Sequence, residues 1–237
     1  MNRLRKRKDL YMFGRKLRAL GIGFVCLLLL VACGSQKSSG AGSTKKGLKI
    51  VTSFYPVYSL VKEISGDRNE VWMIQSGAGI HDYEPSAKET AQIYDADVFI
   101  YHSQTLESWA GRLDPSLQDS KLRVIEASKG MELDKVPGLE DIEDTEGKDT
   151  KNLYDPHTWM DPLKIAEEGK IIAQELGNID PENKSYYEAN AQKLEKRCED
   201  LVAKYQPLFE KVTQKTFVTQ HTAFSYLAKR FGLKQLG

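Results

Sequence analysis

The sequence predicts an α/β protein: a parallel-sheet lobe with helices on both faces, followed by a long linking helix. Two observations predict it. From Leu48 onward, short runs rich in β-branched and aromatic residues alternate with helical patterns, and such alternation packs as a parallel sheet covered on both sides. Beyond residue 180, a single apolar stripe continues at helical spacing.

The strand candidates are "LKIVTSFY", "VWMIQS", "DVFIYHS", "LRVIEAS" and "TFVTQH". Between them lie the helical patterns "PVYSLVKEIS", "SAKETAQIYDA" and "DPLKIAEEGKIIAQELG". Residues 48–179 suffice for one such lobe. The segment Gly138–Asn152 is rich in acids and lacks periodicity, and reads as a solvated loop. The long helix is expected over 180–213, with Asp180 as N-cap and Pro181 at the first position. Tyr187, Ala191, Leu194, Cys198, Leu201, Tyr205, Leu208 and Val212 share one face of it. Pro207 predicts a kink. A helix of this length suits a strut between two lobes, and it also suits the last helix of a single domain.

The N-terminus reads as a targeting segment. "MNRLRKRKDLYMFGRKLRAL" carries eight Lys or Arg residues against one acid, and the apolar stretch Gly21–Ala32 follows. A stable membrane span takes about 20 apolar residues, so this one is too short. A basic start, a short apolar core and small residues before a cut site mark a secretory signal, here residues 1–32. "LVAC", ending at Cys33, resembles the bacterial lipobox, in which the cysteine is lipidated. Residues 33–47 are Gly/Ser-rich and read as a flexible tether.

Removing the signal changes the charge argument. The whole chain carries 34 basic and 33 acidic residues, net +1; losing eight basic residues and one acid leaves 26 against 32, net −6. A mildly acidic protein with no basic stripe is not built for nucleic acid. An acidic exterior attracts cations. Of three cysteines, Cys26 leaves with the signal and Cys33 is assigned to the lipid, so only Cys198 remains. Neither an internal disulfide nor a cysteine zinc site can form. A transition-metal site here has to use histidine and carboxylate.

There are four histidines. His81 lies in "GIHDYEPS" after a strand candidate, His157 in the loop "DPHTWMDP", and His221 directly after "TFVTQ". Ligands of open α/β sheets collect at the carboxyl ends of strands. Three histidines so placed can converge although 76 and 64 residues separate them. Taken singly, each is as readily a satisfied loop residue. His102 ends the strand "DVFIY", and nothing specific marks it as a ligand.

The segments "GIHDYEPS", "DPHTWMDP" and "TQHTAFSYLAKRFGL", in this order, resemble the three ligand motifs of the metal-binding lipoproteins of bacterial ABC importers. "TLESW" (Thr105–Trp109) resembles a further signature of that family. Among its members the chain is most similar to the streptococcal zinc-binding and laminin-binding lipoproteins. The resemblance implies two α/β lobes joined by a rigid helix, with the metal in the cleft between them. It assigns His81 and His157 to the first lobe and His221 to the second. Manganese-type members carry a carboxylate where His221 stands. Three neutral imidazoles suit Zn²⁺, whereas Mn²⁺ prefers harder oxygen ligands.

The partners implied are an ABC permease with its ATPase, the zinc ion and a membrane reached through the lipid anchor. The setting implied is the outer face of a Gram-positive cell membrane, with the protein a monomer. The resemblance also implies a fourth, carboxylate ligand beyond residue 237. Residues 214–237 are accordingly expected to supply one strand and one helix of a second lobe that is mostly missing, with the helix uncovered and zinc binding weaker than in a two-lobed relative. An enzyme reading finds neither H-E-x-x-H nor G-x-S-x-G. The alternatives are a laminin-binding adhesin or a truncated, non-functional remnant, with manganese as the alternative metal.

Overall fold

The computed structural model describes residues 47–74, 79–116, 121–136, 138–139 and 153–237. The expected signal segment, Cys33 and nearly all of the tether lie outside the described residues, as does most of the acidic loop.

Four strands form one sheet: β1 (Lys49–Thr52), β2 (Glu70–Met73), β3 (Val98–Tyr101) and β4 (Arg123–Glu126). Their order is β2-β1-β3-β4, and every pairing is parallel. The central strand β3, "VFIY", is buried at all four positions. That is what a parallel strand covered on both faces requires. Side chains alternate across a strand, so Ile50, Val98 and Ile100 enter one apolar cluster while Val51, Phe99 and Tyr101 enter another.

Helices α1 (Tyr55–Ser65), α2 (Ala87–Tyr94), α3 (Ser108–Ser116), α4 (Pro162–Ile179) and α5 (Lys184–Glu210) cover these faces. The first cluster is closed by Val57, Leu60, Val61 and Ile64 of α1, Ile172 and Leu176 of α4, and Tyr187 and Leu194 of α5. The second is closed by Ile93 of α2 and Trp109 and Ala110 of α3. Local chemistry sets the helix ends. A reciprocal capping box of Ser86 and Glu89 opens α2. The Asp161 carboxylate accepts from the Leu163 amide at 3.1 Å to open α4, with Pro162 behind it. Gly66, at φ +53°, ends α1, and a side chain there would strike the Tyr186 hydroxyl.

Two expectations about the long helix change. Asp180 does not cap the long helix. Pro181–Asn183 forms a 3₁₀ turn, α5 begins at Lys184, and the Asp180 carboxylate accepts the Tyr187 hydroxyl at 2.8 Å. A buried tyrosine hydroxyl needs a partner, and that need takes the carboxylate from the helix end. The apolar stripe of α5 is buried only in its first half: Tyr187, Ala191, Leu194 and Cys198 are covered, whereas Leu201, Tyr205 and Leu208 are exposed. Pro207 lies inside the helix without ending it.

The last segment also holds more than one strand. β5 (Thr216–Val218), α6 (Ser225–Arg230) and β6 (Lys234–Leu236) form a strand–helix–strand unit, with β5 and β6 paired in parallel. The helix is not uncovered: Tyr226, Ala228 and Phe231 are buried, and Phe231 packs on Phe209 of α5 with ring centroids 4.6 Å apart. "LKQL" is too short and polar to read as a strand, but the connection from Thr219 to Leu233 is long enough for a parallel crossover. Among the described residues no helix is long and apolar enough to cross a membrane.

Candidate metal centre

The sheet and its connections bring three of the four histidines together. His81 sits in the 3₁₀ turn Ile80–Asp82, beyond the carboxyl end of β2. His157 precedes the 3₁₀ turn Thr158–Met160 that leads into α4. His221 follows β5. One ring nitrogen from each lies within 4.8 Å of the others. The Nε2 atoms of His157 and His221 are 3.0 Å apart. His81 lies 5.4 Å from His157 and 5.2 Å from His221 between ring centroids. His157 is buried, and the other two are exposed.

The His157 ring has a defined tautomer. Its Nδ1 lies 2.6 Å from Asp155 Oδ1, and its backbone amide donates to the same oxygen at 2.9 Å. A carboxylate accepts, so Nδ1 carries the proton and the Nε2 lone pair faces His221. Two imidazole nitrogens 3.0 Å apart share one proton when no ion is between them. Around a tetrahedral ion with bonds of about 2.0–2.1 Å, two nitrogens stand about 3.3 Å apart. For this pair a few tenths of an ångström of movement therefore exchanges proton for ion, while His81 has farther to move. Asp155 fits such an exchange in a second respect. Its carboxylate is buried, and its other oxygen, Oδ2, has no hydrogen-bond partner among the described residues. A buried carboxylate so exposed to its own charge needs a cation nearby. A metal held through the imidazole supplies one.

Behind His157 lies a buried polar layer. His102 Nε2 donates to the Pro156 carbonyl at 2.6 Å, with Thr158 Oγ1 at 3.3 Å. Its ring is edge-on to Trp159 at 5.0 Å. Burial pushes its pKa down to about 4, so it is neutral. His102 thus braces the loop from within and stands outside the cluster. Thr158 donates to Glu168. Glu107 accepts from Ser53 and from the amides of His102 and Ser103. Burial raises the pKa of Glu107 to about 7 and that of Glu168 to about 8, so at neutral pH Glu168 is mostly protonated and Glu107 is divided between the two forms.

The cluster is also tied to α6. The Tyr226 hydroxyl donates to the Asp155 carbonyl at 2.8 Å and accepts the Asp134 amide at 2.9 Å. Arg230 forks onto the Asp161 carboxylate at 2.7–3.2 Å, and Lys229 meets Asp134 at 2.7 Å. Sequence reading missed Asp155, Tyr226 and Arg230. Only Asp155 left a signal: an aspartate two residues before a loop histidine is spaced to bond both its amide and its ring.

Fold and cluster together define an α/β protein with a candidate three-imidazole metal centre at the ends of its strands. The chain belongs to the zinc-uptake complex component A family, which it matches over residues 50–237. It is 37% identical over 227 residues to the high-affinity zinc uptake system protein ZnuA of Bacillus subtilis, covering 94% of this chain and 70% of that one. It is 37% identical to the zinc-binding lipoprotein AdcA of Streptococcus pneumoniae, covering 92% of this chain but only 43% of AdcA. Among solved structures, a zinc-bound variant of AdcAII from Streptococcus pneumoniae matches with a TM-score of 0.76 at 65% identity, over 81% of this chain and 69% of that one. A laminin-binding adhesin of Streptococcus agalactiae matches with a TM-score of 0.72 at 56% identity, over 81% and 68%.

Proposed function

We propose that this chain captures Zn²⁺ outside the cytoplasmic membrane through His81, His157 and His221 and delivers it to an ABC permease. The observation that carries the reading is the convergence of three ring nitrogens, drawn from three separate segments, within 4.8 Å. All three donors are imidazoles, which favours zinc over manganese. The family and the zinc-binding relatives support the same ion. The protein acts as a carrier and not as an enzyme. Lipidation at Cys33 holds it to the membrane of a Gram-positive cell, a reading supported by the "LVAC" sequence and by the lipoprotein AdcA.

The test is calorimetric titration of Zn²⁺ into the parent chain and three variants. His81→Ala, His157→Ala and His221→Ala are each expected to weaken binding by at least about tenfold, since each removes one of few ligands. Unchanged affinity in any of them removes that residue from the centre. A second reading, adhesion to laminin, is favoured by the 53–56% identity to streptococcal laminin-binding proteins. Capture of laminin by zinc-loaded and by chelated protein separates direct adhesion from a consequence of metal loading.

A further inference from the structure

We propose that α6 is a latch whose Tyr226, flanked by Lys229 and Arg230, holds His221 in register with His157; the proposal rests on the metal-centre reading above. His221 stands on a short loop between β5 and α6, and this loop is fixed within its own unit. The His221 carbonyl accepts from the Thr219 hydroxyl at 2.9 Å, the Ala223 amide at 2.9 Å and the Gln235 side-chain amide at 3.0 Å. Gln235 Oε1 in turn accepts the Phe224 amide at 2.8 Å. The loop therefore moves with the strand–helix–strand unit, and the position of His221 against His157 follows from how that unit is seated.

The seating is done by one face of α6. Tyr226, Lys229 and Arg230 lie three and four residues apart, which puts them on one side of the helix. Their partners are Asp134, Asp155 and Asp161. Two of these bracket His157: Asp155 is two residues before it and Asp161 four after. Asp155 is also the residue whose carboxylate sets the His157 tautomer. Tyr226 is buried, so its hydroxyl bridges two backbone groups away from water. Arg230 is held by a two-pronged contact that fixes angle as well as distance. A latch anchored on both sides of one ligand, and rigidly joined to another, converts docking into ligand geometry.

A double-mutant cycle in zinc affinity tests this, measured on the full chain by competition with a chromophoric chelator. Tyr226→Phe keeps the ring and removes only the hydroxyl. It is expected to weaken zinc binding about three- to tenfold in the parent and to change it less than about twofold in the His221→Ala background. In the parent it is also expected to alter the visible absorption of bound Co²⁺, which reports the tetrahedral ligand field. The same loss in both backgrounds would overturn the latch, because Tyr226 would then act through folding or through His157 alone. A loss for His221→Ala with none for Tyr226→Phe overturns the latch and leaves the metal centre standing. No loss for His221→Ala overturns both. Should Tyr226→Phe not melt cooperatively in chelator, Arg230→Gln, which is partly exposed, enters the same cycle under the same criteria.

Discussion

Replacing Asp155 by Asn tests how much of the metal centre lies beyond the imidazoles. The substitution preserves shape and leaves an amide oxygen to accept the His157 proton, but it removes a buried negative charge. In the parent that charge lies 2.6 Å from Nδ1, with the side chains of His157 and Asp155 only 7% and 3% exposed. A metal ion on Nε2 would stand about 6.5 Å from the carboxylate across the ring. At an effective dielectric of about 20, a divalent ion there gains about 5 kcal/mol. This is a ceiling, because electron donation by the ligands spreads the charge. The floor is the difference between a charge-assisted and a neutral hydrogen bond, about 1 kcal/mol. Between these limits the expected loss is about 10- to 100-fold in zinc affinity, the range found for carboxylates that orient a ligating histidine. Chelator competition at pH 7.5 measures it, with thermal melts in chelator as the control on folding. An Asp155→Asn chain that melts like the parent and binds zinc within about threefold of it would refute the reasoning, and the carboxylate would then be merely structural.

His102→Ala is expected to lower the melting temperature, by stranding the Pro156 carbonyl, while weakening zinc binding less than any of the three cluster histidines; calorimetry beside melting curves separates the two effects. Glu168→Gln is expected to change stability with a particular pH dependence. Burial raises the Glu168 pKa to about 8, above its ordinary value of 4.5. The protonated folded form therefore stabilises the protein below pH 4.5, and that contribution is lost as pH rises through 8. The variant should match the parent near pH 5 and melt at higher temperature at pH 9; parallel curves across this range would show that folding does not raise the Glu168 pKa. Cys33→Ala is expected to release the protein from cells into the medium, assayed by fractionation, whereas retention on the membrane would contradict lipidation at that residue. Zinc affinity is expected to fall as the medium is acidified, because protonated imidazole cannot ligate; a pH-independent affinity from 7.5 to 5.5 would argue for oxygen ligands.

The sequence by itself determined the α/β class, because the physics of that class is local. A strand buried on both faces must be apolar throughout, as "VFIY" is. A helix that packs one face must repeat near 3.6 residues, as α4 does, and Ser86 with Glu89 announces the start of α2. Helix α3 was not legible, since "SWAGRLDPS" contains both Gly and Pro and no clear stripe. Nor was β6, too short to stand out without its partner β5. Leu201 and Leu194 belong to one stripe, yet only Leu194 is buried. Periodicity states which residues share a face, not how far along the helix a neighbour reaches.

The histidines divide in the same way. Motifs in the sequence singled out His81, His157 and His221 and left His102 unmarked, but no local pattern brings together residues 76 and 64 positions apart. Only the tertiary structure decided that. Strand order carries His81 and His157 to one end of the sheet, and the seating of α6 sets His221 against them. It also decided the role of His102, which ends a strand much as His221 does. Burial and the Pro156 carbonyl occupy its ring, whereas His221 remains exposed with its Nε2 turned toward His157. Candidate ligand and brace are the same residue type, and long-range neighbours, which a linear pattern does not encode, distinguish them.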